Sequence, residues 1–229
     1  MKAHSTFEHR IGYVFRNRDL LDEALRHSSF INEHPMLTSN ERLEFLGDSV
    51  LSLVVSHLLM KIEPPLPEGT MTRLRAQLVN ETTLADIARK IDLGGFLQLG
   101  KGETQCNGRS KNSILADACE ALIAAVYLDG GFDAAFRLVQ GFIEPMLQPG
   151  RVESLNPDFK SNLQELLQAA QKPGPVYRVI DETGPDHEKC FVVRVRTVDG
   201  ETAGQGRNKK AAEQDAARNA LRFIYGLQE

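Results

Sequence analysis

The chain has 229 residues and only three cysteines, Cys106, Cys119 and Cys190, which form no CxxC pair, and no HExxH segment occurs. A disulfide framework and a zinc site therefore have no support, and scattered thiols agree with a reducing compartment. A basic excess is also missing: 27 Lys plus Arg stand against 31 Asp plus Glu, a formal net charge of −4. Even residues 157–229 balance, with eleven of each sign. A strongly basic nucleic-acid binder is excluded, so any nucleic-acid face must be local. No apolar run reaches membrane-span length free of charges, and the opening MKAHSTFEHRIGYVF lacks a signal-peptide core. These absences lead to the expectation of a cytoplasmic protein with no membrane partner. No internal repeat or low-complexity tract is evident.

What is present fits one or two folded domains. At 41% hydrophobic and 25% charged, the chain can bury a core. Helical patterns fill the first part: the opening segment, 20–30, 40–60, 70–79, 81–91 and 114–128. The stretch QPGRVESLNPD, residues 148–158, has linker composition. Beyond it 159–171 reads as a helix, 176–181 and 189–198 alternate as strands, ETAGQG supplies a third, and 209–225 returns to helix. The expected organisation is an all-α domain at 1–149, a linker at 150–156 and an α-β-β-β-α domain at 157–229.

Two helical segments carry acids where apolar residues dominate. ILADACEALIAAVYL, residues 114–128, holds thirteen apolar residues with Asp117 and Glu120 three positions apart, and Ser113 is its expected N-cap. At about 100° per residue the two carboxylates share a face and repel unless a cation joins them. NERLEFLGDSVLSLVVSHLLM, residues 40–60, has an apolar stripe of Leu43, Leu46, Val50, Leu53, Val54 and Leu58, with Glu41, Glu44 and Asp48 together on one face. A capping box between Thr38 and Glu41 gives Glu41 a structural explanation. Two readings stay open for Asp117 and Glu120: salt bridges, for instance to Arg109 or Lys111, or a metal site. Paired inward carboxylates on two helices suit a bundle-type metal site, and hard oxygen ligands favour Mg²⁺, with Mn²⁺ as a substitute. Such a metal points to phosphoryl transfer or phosphodiester hydrolysis.

The last helical segment begins GRNKKAAEQDAA, which gathers Arg207, Lys209 and Lys210 at a helix N-terminus. Cations there oppose the helix dipole, so either a solvated basic turn is tolerated at a small cost or a phosphate is bound.

NERLEFLGDSVL at 40–51 and SILADACEALIAAVYLDGG at 113–131 resemble the signature segments of the ribonuclease III family. PEGTMTRLRAQLVNETTLADIA and LGKGE, which lie between them, are similar to the family as well. NLQELLQ, GPDHEKCF and GRNKKAAEQDAA in the tail resemble a double-stranded-RNA-binding domain. The resemblance covers nearly the whole chain and implies a ribonuclease III endonuclease domain followed by that domain. By motif position it implies that Glu44, Asp48, Asp117 and Glu120 are the catalytic, Mg²⁺-binding carboxylates, with Glu41 and Glu68 as auxiliary acids. It implies RNA contacts from Gln164, Glu165, His187, Lys209 and Lys210, and a homodimer with Phe45 at its interface. Phe45 otherwise reads as a core phenylalanine, Glu68 as an exposed loop acid and His27 as structural. The implied reaction is Mg²⁺-dependent cleavage of duplex RNA to 5′-phosphate and 3′-hydroxyl ends with short 3′ overhangs, serving rRNA and mRNA precursor processing. A non-catalytic RNA-binding scaffold of the same fold is the alternative, but it would require loss of carboxylates that are all present.

Overall fold

The computed structural model describes residues 2–63, 65–148, 158–185 and 189–225. These fall into two compact units, one of residues 1–61 with 75–148, the other of residues 62–74 with 149–229. The expected linker at 150–156 lies outside the described residues. Linear reading did not anticipate that 62–74 would group with the second unit.

Among the described residues the first unit is helical, with one parallel bridge between Arg26 and Gln98. It contains α1 (Lys2–Ile11), α2 (Arg18–Ala24), α3 (Ser28–Ile31), α4 (Glu41–Met60), α6 (Glu81–Lys90), α7 (Leu93–Phe96), α8 (Lys101–Gln105), α9 (Asn112–Gly130) and α10 (Phe132–Ile143). Helix α5 (Glu68–Leu78) runs across the division. The one helix expected over 20–30 is broken. Gln98 N–H donates to the Leu25 carbonyl and His27 N–H donates to the Gln98 carbonyl, which draws these backbone groups out of a helix. His27 Nδ1 then accepts from Ser29 N–H and caps α3, in keeping with a structural histidine.

Helix α9 is the centre of the unit. It packs against α2, α4, α6, α7 and α10, and from Ile114 to Val126 only Asp117 and Glu120 escape full burial. Its start departs from expectation: the helix begins at Asn112, Lys111 is the N-cap residue without a side-chain cap, and Ser113 lies inside the first turn. Helix α4 crosses α9 at close range because Gly47 has no Cβ; a Cβ there would lie 1.9 Å from the Glu120 carbonyl oxygen. The buried side of α4 includes Leu43, Val50, Val54 and Leu58, but Leu46 is half-buried and Leu53 is exposed. One residue turns the helix by about 100°, so Leu53 points away from the side that buries Val54. By length and composition alone α4 would suffice to cross a membrane, yet here it is a core helix packed on α9.

The second unit holds α11 (Phe159–Ala169), β1 (Val176–Thr183), β2 (Cys190–Arg196), β3 (Glu201–Gly206) and α12 (Lys209–Ile224). The strands form an antiparallel sheet in the order β1-β2-β3. Alternation sends Phe191, Val193 and Val195 of β2 inward, against Leu163 and Leu167 of α11 and the alanine-rich face of α12. Gly204 lets β3 lie directly on α12, since a Cβ there would meet the Ala216 nitrogen at 2.0 Å. The architecture is thus an all-α unit plus an α-β-β-β-α unit.

Candidate active site

The α4–α9 crossing sets the geometry of the carboxylates. Gly47 lies between Glu44 and Asp48 on α4, and its contact with the Glu120 backbone holds these acids beside Glu120 and Asp117 of α9. The charges of Asp48, Glu44 and Asp117 all reach Glu120. Burial, followed by the charges of Asp48, Glu44 and Asp117, pushes the Glu120 carboxyl up to about 7. Burial, then Asp117 and Glu41, raises Glu44 above its ordinary value. Asp117 is also raised, chiefly by burial, with His27 opposing and Glu81 adding to the effect.

Among the described residues no ion pair joins this cluster to a cation, although the His27 charge partly offsets the rise at Asp117. The candidate salt-bridge partners are occupied elsewhere: Arg109 donates to the Gly94 and Gly95 carbonyls, and Lys111 pairs with Glu103 at 2.5 Å. Among the described residues none of the four carboxylates has an ion-pair or hydrogen-bond partner. Among the described residues, then, Asp117 and Glu120 form no salt bridge. Equally, among the described residues no three His, Cys, Asp or Glu side chains are drawn together into a metal-ligand sphere. Exposed Asp48 beside half-buried Glu44, Asp117 and Glu120, with no ion pair to a cation among the described residues, makes a donor set suited to a hard divalent cation.

Other expected residues take the following positions. Glu41 is exposed and accepts from Ser39 Oγ at 2.6 Å, while Asn40 is the N-cap residue of α4, so the capping box with Thr38 does not form. Glu68 is no loop acid but the first residue of α5, exposed, with Thr72 Oγ1 donating to it at 2.8 Å. It belongs to the second compact unit. Phe45 is 80% exposed, which rules out an ordinary core role, and it shares one side of α4 with exposed Leu53 and Met60. Two residues close to the site escaped sequence reasoning as contributors: Glu81, which opens α6 and reads as an ordinary acidic first turn, and His27. Only Gly47 left a signal, as an isolated glycine inside a helical pattern.

In the second unit Gln164 is exposed on α11, whereas Glu165 is half-buried and paired with Arg73 at 3.3 Å. Lys209 and Lys210 stand exposed in the first turn of α12, where Asn208 is the N-cap and accepts from Ala211 N–H. Lys209 Nζ lies 5.9 Å from the centre of the Phe191 ring. His187 falls outside the described residues.

A ribonuclease-III-like family profile matches residues 17–147, and a double-stranded RNA binding motif matches residues 159–224. Ribonuclease 3 of Desulfotalea psychrophila is 48% identical over 229 residues, covering 99% of this chain and 95% of that protein. Ribonuclease 3 of Caldanaerobacter subterraneus is 47% identical over 216 residues, covering 93% and 95%. Among solved structures, the ribonuclease III nuclease domain of Campylobacter jejuni, described for flexibility in a region involved in dimer formation, superposes with a TM-score of 0.58 at 41% identity. It covers 62% of this chain and 96% of that domain. An all-α nuclease unit joined to a double-stranded-RNA-binding fold defines an endoribonuclease directed at double-stranded RNA. The chain belongs to the ribonuclease III family.

Proposed function

We propose that this chain is a cytoplasmic, homodimeric, Mg²⁺-dependent endonuclease that processes rRNA and mRNA precursors, with Mn²⁺ as a substitute metal. Its organisation is then an endonuclease domain at 1–149, a linker at 150–156 and an RNA-binding domain at 157–229. The observation that carries the reading is the cluster of Glu44, Asp48, Asp117 and Glu120, held together by the Gly47 contact and, among the described residues, without an ion-pair partner. These four residues would hold the metal, which when bound supplies Lewis acidity at the phosphodiester. Glu41 and Glu68 assist as auxiliary acids. Water adds to phosphorus, the bond to the 3′ oxygen breaks, and that oxygen takes a proton. The products are a 5′-phosphate and a 3′-hydroxyl, with short 3′ overhangs when each subunit cuts one strand.

Binding rests on groups of the second unit. Gln164, Glu165 and His187 reach minor grooves, and Lys209 and Lys210 hold phosphates across the groove between them, a pattern that measures A-form shape. An exposed Phe45, Leu53 and Met60 on one side of α4 support self-association, because such apolar side chains cluster at interfaces. The test is incubation of a long end-labelled RNA duplex, and of its separated strands, with and without Mg²⁺. The proposal expects shortening of the duplex only, with Mg²⁺ only, and 5′-phosphate ends. Equal cutting of single strands, or equal cutting without a divalent metal, would overturn it.

A further inference from the structure

The outward side of the β1-β2-β3 sheet is uncovered in the second unit. The helices take the other side, where Phe191, Val193 and Val195 are buried. Alternation therefore turns Arg194 and Arg196 of β2 outward, and both are exposed. The register places Arg178 of β1 directly opposite Arg194 and Val176 directly opposite Arg196, on the same outward side. Like charges facing one another across strands destabilise a sheet. Little within the chain relieves them. Arg178 has no ion-pair or hydrogen-bond partner among the described residues. Glu201 serves two guanidiniums at long range, Arg194 at 3.8 Å and Arg196 at 3.5 Å. Asp181, the other acid on this side, accepts from the adjacent Glu182 N–H.

At one end of this face lies an open hollow of about 350 Å³, lined by Pro173, Gly174, Val176, Arg196, Thr197 and Val198. Val176 is 54% exposed and Val198 57% exposed. Guanidiniums short of carboxylates, beside an apolar hollow, match a ligand that carries both acidic and apolar side chains.

We propose that this sheet face docks an acidic peptide segment of a partner protein, with its carboxylates on Arg178, Arg194 and Arg196 and an apolar side chain in the hollow between Val176 and Val198. Nucleic acid fits the face less well. A phosphate backbone offers nothing to the hollow, and the outward positions of the three strands carry no aromatic ring on which a base could stack. The face also lies on the opposite side of the sheet from α11 and α12, to which RNA binding is assigned above.

The test uses the full chain and fluorescence anisotropy with a labelled peptide of alternating glutamate and leucine, compared with a lysine–leucine peptide of the same length and with an RNA duplex of about 20 base pairs. The glutamate peptide should bind more tightly than the lysine peptide by at least about tenfold, and Arg178→Glu with Arg194→Glu should weaken it by about tenfold or more while duplex affinity stays within about twofold. Val198→Asp should weaken the same peptide. Arg178→Thr, which keeps a strand-favouring residue, should weaken the peptide and raise the melting temperature by relieving the facing arginines. Equal binding of the two peptides, or glutamate-peptide binding unchanged in the arginine and valine variants, would overturn the proposal. So would a loss confined to the RNA duplex, which would make this an RNA face.

Discussion

Replacing Glu120 by Gln keeps the side chain's size and removes its charge, so it separates a carboxylate kept for metal binding from one kept for structure. The Glu120 carboxyl is pushed up from 4.5 to about 7. In a chain without metal, folding therefore favours the neutral over the ionised form by roughly 3 kcal/mol more than the unfolded state does, at about 1.4 kcal/mol per pH unit. The group is only half-buried, and solvent screening reduces this to about 1–2 kcal/mol. The sign follows from proton binding. Below the unfolded value both states hold the proton and the shift has no effect; as the pH rises from about 4.5 to about 7 the folded state is progressively destabilised, and above that the loss is complete. Glu120→Gln should match the native chain in stability near pH 4.5 and exceed it above pH 7. For a unit of this size the gain corresponds to a melting temperature higher by about 3–6 °C in the presence of a chelator. Calorimetric melting of both proteins from pH 4.5 to 8 checks this. A lower melting temperature for Glu120→Gln at high pH would refute the reasoning and restore a structural ion pair.

Other variants test the scaffold, the interface and the RNA contacts. Gly47→Ala places a methyl group 1.9 Å from the Glu120 carbonyl oxygen; it should cost at least roughly 2–3 kcal/mol in chemical denaturation, and an unchanged midpoint would mean that α4 and α9 do not cross at this range. Phe45→Asp should leave folding intact, because the ring is 80% exposed, while shifting sedimentation from dimer toward monomer; an unchanged dimer would remove Phe45 from the interface. Replacing Lys209 and Lys210 together by Ala should make the slope of log affinity against log salt shallower by about two, equally for unrelated duplexes, with helix stability unchanged or slightly improved. An unchanged slope would leave the lysines as a solvated turn.

Long periodic segments were legible in the sequence, and so was the spacing of the acids. The 3.6-residue repeat located α4, α9 and α12, and period two located the strands, because each pattern is set by its own element. The i, i+3 and i, i+4 offsets sufficed to put Glu44 with Asp48, and Asp117 with Glu120, on common faces. Features set by tertiary partners were not legible. Gln98 breaks the 20–30 helix from more than seventy residues away. Lys111 and Arg109 look like natural partners for the α9 acids until Glu103 and the Gly94 carbonyl are seen to hold them. Leu53 sits on the exposed side of α4 for a similar reason, since the apolar stripe of α4 is wider than the side that packs in the core. Glu81 lies near Asp117 only through the packing of α6 on α9, which no local period encodes.

The central claim is that the carboxylates of α4 and α9 perform metal-dependent chemistry and do not merely shape an RNA-binding surface. Single-turnover cleavage of an end-labelled RNA duplex, with enzyme in excess and Mg²⁺ varied, tests it most directly when the native chain and Glu120→Gln are run in parallel with binding measured on the same duplex. The account predicts cleavage by the native chain that rises with Mg²⁺ and vanishes in chelator, and retained binding without cleavage by Glu120→Gln. Native-like turnover by Glu120→Gln in Mg²⁺, or undiminished cleavage by the native chain in chelator, would contradict it.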